Sequence, residues 1–223
     1  MGRPREFDVD KALDTLLRVF WRKGYEGASY SDLTAATGLE RPALYSAFGN
    51  KEALFRKVLA RYYAQYLDFI PQALERPTAR EAVEGVLYGA IDLYTQSPEH
   101  PGCLSLNGLL AGSDDAEPVR QALIEARAET ETQLKERFER AKVAGDLPET
   151  ADPTALAAFV QAVLHGLAVQ AKAGISVETL RAVAVQALSA LPVRKVPAHD
   201  PRRNFGPQYL LSRAEIRKVQ ANI

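Results

Sequence analysis

Arg41, Ala43, Tyr45 and Ser46 fall at spacings that place short or planar groups along one side of a short helix, opposite Leu44 and Phe48. Such groups approach base edges, thymine methyls and phosphates without a thick layer of side chain between. Ser31 stands one short helix earlier, Pro42 opens the helix itself, and Lys51 heads the helix that follows. A helix N-terminus offers unpaired amides and the positive end of a dipole, and a lysine beside it adds a point charge suited to a phosphate. The chemistry these residues support is recognition of a nucleic acid. A solvated surface lysine is the other reading open for Lys51.

The elements that position them are legible in residues 29–55, SYSDLTAATGLERPALYSAFGNKEALF. A short helix is predicted from Ser31, as its cap, to about Thr37, followed by a turn at Gly38 and a second short helix near Pro42. This is the order of a helix-turn-helix, whose second helix lies in the major groove. Proline at a first helical position loses no hydrogen bond, because that amide has no intrahelical partner. Ahead of the pair, Leu13, Leu16, Leu17 and Phe20 mark a helix with Asp8 as N-cap and Gly24 as its end. After it, Asn50 caps a longer helix carrying Phe55, Val58, Leu59, Tyr62, Tyr66, Phe69 and Ile70, which Pro71 to Pro77 bring to an end.

The run LTAATGLERPALYSAFGNKEALF resembles the DNA-binding region of the TetR (tetracycline-repressor) family, over roughly residues 8–60. The family's leucine-tyrosine pair, phenylalanine and lysine-glutamate helix start fall on Leu44, Tyr45, Phe48, Lys51 and Glu52. The resemblance implies a homodimeric repressor that binds a palindromic operator and leaves it when a small molecule binds. It implies that Tyr45 contacts a phosphate or base and that Lys51 holds the backbone. The sequence departs from the commonest pattern at Glu40, where a serine or threonine cap is usual. A glutamate facing phosphates is repulsive unless paired, and Arg41 is the expected partner.

The rest of the chain is also helical by period, with no sustained β-type alternation. Thr78 and Glu81 form a capping box for a helix through Tyr94, Ser97 to Gly102 is a loop, and a short helix spans Leu104–Leu110. A long helix follows from about Pro118 to Ala144, then one from Asp152 and Pro153, and a last one capped by Ser176. Nine helices are expected in all. The fold class is therefore all-α, a three-helix DNA-binding domain at 1–49 joined to a larger helical domain at 50–191, with a basic, mobile tail at 192–223.

In the resembled family the larger half binds an effector and dimerises through its last two helices. Here those helices, about 153–171 and 176–190, carry Ala157, Ala158, Ala162, Gly166 and Ala187, small enough for close helix approach. Closing the monomer core is the alternative use for them. Polar-tipped aromatics and two other polar residues are the pocket candidates: Tyr62, Tyr66, Phe69, Tyr88, Tyr94, Phe138, Phe159, Asn107 and His165. Such a mixture suits a mostly apolar ligand with a few orienting hydrogen bonds. A ligand wedged against Tyr62, Tyr66 or Phe69 would tilt the long fourth helix and change the spacing of two recognition helices.

Composition fits this reading once charge is located. The 28 basic and 28 acidic residues cancel, but residues 1–61 carry 11 against 8 and residues 192–223 carry 7 against 2. Arg3 and Arg5 precede the first helix and are expected either to reach the minor groove or to be free charge. Arg202, Arg203, Arg217 and Lys218 carry the same ambiguity, and Ser212 with Glu215 form a capping box for a short basic helix.

His100, His165 and His199 have no ligand spacing, so neither metal nor cofactor is expected. Cys103 is the one cysteine, open to thiol sensing or to simple burial. No leader and no run of about 18 uninterrupted apolar residues is seen, so a cytoplasmic protein without a membrane span is expected. A helical enzyme lacks support in any nucleophile with a base at readable spacing, any phosphate loop or any carboxylate cluster. A ligand-binding or protein-partner module without specific DNA binding remains the alternative.

Overall fold

A computed structural model describes residues 7–109 and 113–192. Among these residues all regular structure is helical: ten α-helices and one 3₁₀ turn. They fall within one unit that ends at Val193. Arg3, Arg5 and the basic tail, with its Ser212–Glu215 capping box, lie outside the described residues.

Helix α1 (Val9–Gly27) starts where predicted, with the Asp8 carboxylate accepting the Lys11 amide at 3.1 Å. Gly24 takes φ +72° and ψ 177°, outside the helical region, so the first helical run ends there as predicted and a short further piece continues to Gly27. Helix α2 (Tyr30–Thr37) is capped by Ser29, not Ser31. Ser29 and Asp32 form a reciprocal capping box, and Lys23, Ser29 and their hydrogen bonds hold the Asp32 carboxyl well below the usual carboxylate range. Two amides are thereby satisfied where a cap at Ser31 would satisfy one.

Helix α3 (Arg41–Phe48) follows the left-handed turn at Gly38, with Pro42 at its second position. Helix α4 (Lys51–Tyr66) is capped by the Asn50 side chain, which accepts the Ala53 amide at 2.8 Å. It stops at Tyr66, and Phe69–Leu74 forms a separate short helix α5, a correction to the single long helix through Ile70. Pro71 explains the break: it sits in the first turn of α5, where a missing amide costs nothing, and could not continue α4.

Helix α6 (Ala79–Thr95) has the expected Thr78–Glu81 capping box. It carries Gly85 and Gly89 on the side that receives α5: a Cβ at Gly89 would collide with the Phe69 ring, so α5 can lie only against a glycine-lined groove. Helices α7 (Leu104–Leu109), α8 (Glu117–Val143), α9 (Pro153–Lys172) and α10 (Val177–Ala190) are the rest among the described residues, with a 3₁₀ turn at Asp114–Ala116.

Helix α1 joins the recognition unit to the rest, packing on α2, α4 and α7. Its Trp21, fully buried, donates its indole N–H to the Gly102 carbonyl at 2.9 Å and meets Tyr62 and Tyr66 edge-on. Gly102 (φ +84°) lies so near α9 that a Cβ would sit 2.9 Å from the Ala168 carbonyl. Arg61 of α4 adds an ionic tie, bonding Asp14 and Asp10 of α1 at 2.5 and 2.7 Å.

Candidate nucleic-acid interface and internal cavity

Leu44 and Phe48 are buried, and Phe48 meets the Phe7 ring at 6.5 Å, which fixes the inner face of α3. The opposite face is open: Arg41, Pro42, Tyr45 and Ser46 are exposed and Ala43 is half-buried. The two sides are the ones the sequence assigns. Ser31 is exposed in the first turn of α2.

Tyr45 is not isolated. Its ring stacks on Tyr30 of α2, centroids 5.3 Å apart and planes 15° from parallel. The Arg41 guanidinium lies 4.2 Å from the Tyr30 centroid and 5.6 Å from that of Tyr45. Burial above all, with the Tyr45 hydroxyl next, pushes the Tyr30 phenol up to about 12. The Tyr30 hydroxyl, then Arg41, pull the Tyr45 phenol down. Arg41 therefore pairs with aromatic faces, not with Glu40 as expected. Glu40 is the exposed N-cap of α3 and makes no side-chain cap bond.

Lys51 is half-buried with its ammonium 4.8 Å from the Tyr25 centroid, and burial lowers its pKa. It stands at the start of α4 as the sequence indicates, its charge turned partly inward. Tyr30 escaped the sequence reading. With the cap placed two residues too late, it lay outside the helix, whereas the S-x-x-D spacing at Ser29 and Asp32 would have made it the first residue of α2.

The second concavity lies in the larger half. A cavity of about 70 Å³ is lined by Tyr63 of α4 and Leu67 just past its end, Tyr94 of α6, Cys103, Ser105 of α7, Leu123, Arg127 and Thr130 of α8, and Gln161 and His165 of α9, among others. Of the residues expected there, His165 and Tyr94 are at its wall. Tyr62 is fully buried beside it, its hydroxyl donating to Cys103 Sγ at 3.5 Å.

The other candidates lie away from that wall. Tyr66 stacks on Tyr62, Phe69 fills the groove at Gly89, Asn107 donates to the Trp21 carbonyl at 3.2 Å, Phe138 is fully buried core, and Tyr88 is half-buried. Phe159 is on the outer side of α9, 37% exposed.

Arg127 is the charged residue of the cavity lining, and Glu129 and Glu131 act on Tyr63 and His165 from nearby. Burial pushes Tyr63 up to about 12 and Tyr94 well above its ordinary value, and it pushes His165 down, with Arg127 adding to that. The phenols and the imidazole are neutral near pH 7 and present hydrogen-bonding groups, not charge. Cys103 Sγ stands 3.0 Å from Ser105 Oγ. Tyr63, Arg127, Thr130 and Gln161 went unread from sequence. Gln161 had a readable cue, a polar residue one turn before His165 on an apolar helix. It is buried and donates to the Arg127 carbonyl at 3.2 Å.

Helix α9 has the length and composition of a membrane span, unlike any other described helix, with 39% of the relevant window buried. Its uncovered positions include Ala155, Ala158, Phe159, Ala162 and Val169, and α10 adds Val185. Ala157 and Ala187 are buried, and Gly166 is half-buried with open space at its Cβ position.

Comparison with known proteins agrees with this geometry. The model of the tetR family of bacterial regulatory proteins matches residues 12–58, and that of the tetracyclin repressor-like C-terminal domain matches residues 79–187. The HTH-type transcriptional repressor ComR of Escherichia coli (strain K12) is 33% identical over 80% of this chain and 86% of its own. The HTH-type transcriptional repressor BdcR of the same strain is 30% identical with the same coverage. Among solved structures, a cysteine mutant of the TetR family transcriptional regulator CifR, complexed with 26bp double-strand operator DNA, is 44% identical. It covers 86% of this chain and 100% of its own with a TM-score of 0.81.

Proposed function

The chain belongs to the tetR family of bacterial regulatory proteins, and on that footing we propose that it is a transcriptional repressor that binds a palindromic operator as a homodimer and is released by a small molecule. The observation that carries the DNA reading is the two-sided α3. Leu44 and Phe48 anchor it while Arg41, Pro42, Tyr45 and Ser46 face outward beside the α4 N-terminus. The repressor ComR and the operator complex of CifR support it by relationship.

Two such helices must meet successive major grooves on one side of the duplex, about 34 Å apart or a multiple of it, which a two-fold dimer achieves. The uncovered apolar faces of α9 and α10 are the surfaces we assign to that dimer. An apolar helix less than half covered by its own chain gains most from a second copy. The reaction-free character of this role fits a chain whose relatives are regulators.

The effector is proposed to enter the cavity bounded by Tyr63, Arg127, Gln161 and His165. At about 70 Å³ it is far below the ~300–1,000 Å³ of sites for drug-sized ligands. A ligand of that size must therefore spread α4 from α8 and α9. Tyr63 and Leu67 lie on or next to α4, whose other end starts the DNA-binding face at Lys51. Displacement at one end thus moves the other, and a coupling of about 1–3 kcal/mol changes operator affinity roughly 5- to 150-fold.

Selection from random duplexes tests the proposal. Enrichment of a palindrome with half-sites a helical turn or a multiple apart is expected. A folded protein that enriches no sequence would favour the alternative, a helical module without specific DNA binding, for which the unpaired side chain of Glu40 at the head of α3 is the one supporting observation.

A further inference from the structure

Arginine is planar, and its two kinds of contact are separate: the face of the guanidinium lies on aromatic rings, while its N–H donors point outward in the plane. The Arg41 guanidinium carbon lies over the Tyr30 ring, 4.2 Å from its centroid, Tyr30 is itself stacked on Tyr45, and a side-chain hydrogen bond to Tyr45 engages part of the donor edge. The remaining donors are not spent on Glu40, the adjacent residue. Arg41 is also the first residue of α3 and is exposed, which places it at the end of a recognition helix that contacts base edges.

Tyr30 comes from a different helix, at the first position of α2, so the stack locks α3's leading side chain to the body of the helix-turn-helix. A long side chain held this way loses less freedom on binding than one free in solvent. Geometry of this kind suits a two-point acceptor, whether a phosphate or a base edge, and the first residues of a recognition helix are the ones that meet base edges. Guanine presents two acceptors, O6 and N7, on one edge of the major groove, matching the arginine fork.

Resting on the DNA reading above, we infer that Arg41 reads a guanine in each operator half-site and that Tyr30, through its ring, is the positioning residue that holds it. The stack extends to Tyr45, so the same platform orders both outward side chains of the first turns of α3.

The test is random-duplex selection, followed by titration of single-base variants of the enriched site, with wild type, Arg41→Lys, Tyr30→Ala and Tyr30→Phe, each confirmed folded by circular dichroism. Wild type is expected to require guanine at one position per half-site, with about 5- to 150-fold discrimination. Arg41→Lys should lose that preference alone, keeping the rest of the consensus. Tyr30→Phe, which keeps the ring, should resemble wild type, and Tyr30→Ala should blur the same position. An unchanged preference in Arg41→Lys, or a uniform loss across all sequences as a phosphate contact gives, would overturn the assignment while leaving DNA reading intact. Tyr30→Phe blurring the guanine position would overturn the ring's role. A wild type without any consensus would overturn the DNA reading and this inference with it.

Discussion

The recognition unit and the cavity are both lined by aromatic and polar side chains, but they are assembled in opposite ways. The outward face of α3 comes from within one six-residue stretch, Arg41, Pro42, Tyr45 and Ser46, with Tyr30 eleven positions before Arg41. The cavity wall draws on α4, α6, α7, α8 and α9, from Tyr63 to His165. A local site is set by helix period and caps. A distributed one depends on how distant helices settle against each other, and a change of one residue in register substitutes one wall residue for another.

The sharpest way to break this contrast is to cut the seam between the two regions. Trp21 is fully buried, and its indole N–H bonds the Gly102 carbonyl. Trp21→Ala should cost about 3–5 kcal/mol in urea unfolding, with both regions lost in one transition. Two separate transitions would show that the recognition unit folds apart from the larger half. Gly102→Ala probes the same seam with less force. A side chain there meets both a positive φ and the Ala168 carbonyl, and a loss of about 2 kcal/mol is expected.

The contrast also explains what the sequence made legible. Asp8, Asn50, Thr78 and Ser176 act as caps where predicted, because a cap depends on three or four neighbouring residues. Leu44 and Phe48 inward with Tyr45 outward follow from one helical period. The Ser29 cap was missed because two serines flank Tyr30, and only the pairing with Asp32 chooses between them. The placement of Phe69 was beyond reach: it depends on a glycine twenty residues later, Gly89. Tyr62 and Tyr63 are likewise adjacent in sequence, and only packing decides which one faces the cavity.

A smaller effect sharpens the cavity's side of the comparison. Burial holds the His165 and His100 pKa values below the ordinary 6.5. Above that value both folded and unfolded forms are neutral. As pH falls below it, the unfolded chain binds protons first, so stability declines from about pH 6.5 downward through the folded values. His165→Gln should flatten this decline in chemical unfolding followed between pH 7.5 and 5, without changing operator affinity at pH 7.5. An unaltered pH profile would mean that His165 is not held neutral in the folded protein.

The central claim is that the open face of α3 reads DNA, and the most direct test is fluorescence-anisotropy titration of the selected duplex with wild type and Tyr45→Ala across a salt series. Tyr45 is 41% exposed, so the variant should lose no more than about 1 kcal/mol of folding stability. Wild-type affinity is predicted to fall log-linearly with salt, and Tyr45→Ala to bind about 5- to 150-fold more weakly at each concentration. Equal affinity of a folded Tyr45→Ala variant, or wild-type binding indifferent to salt, would contradict the account.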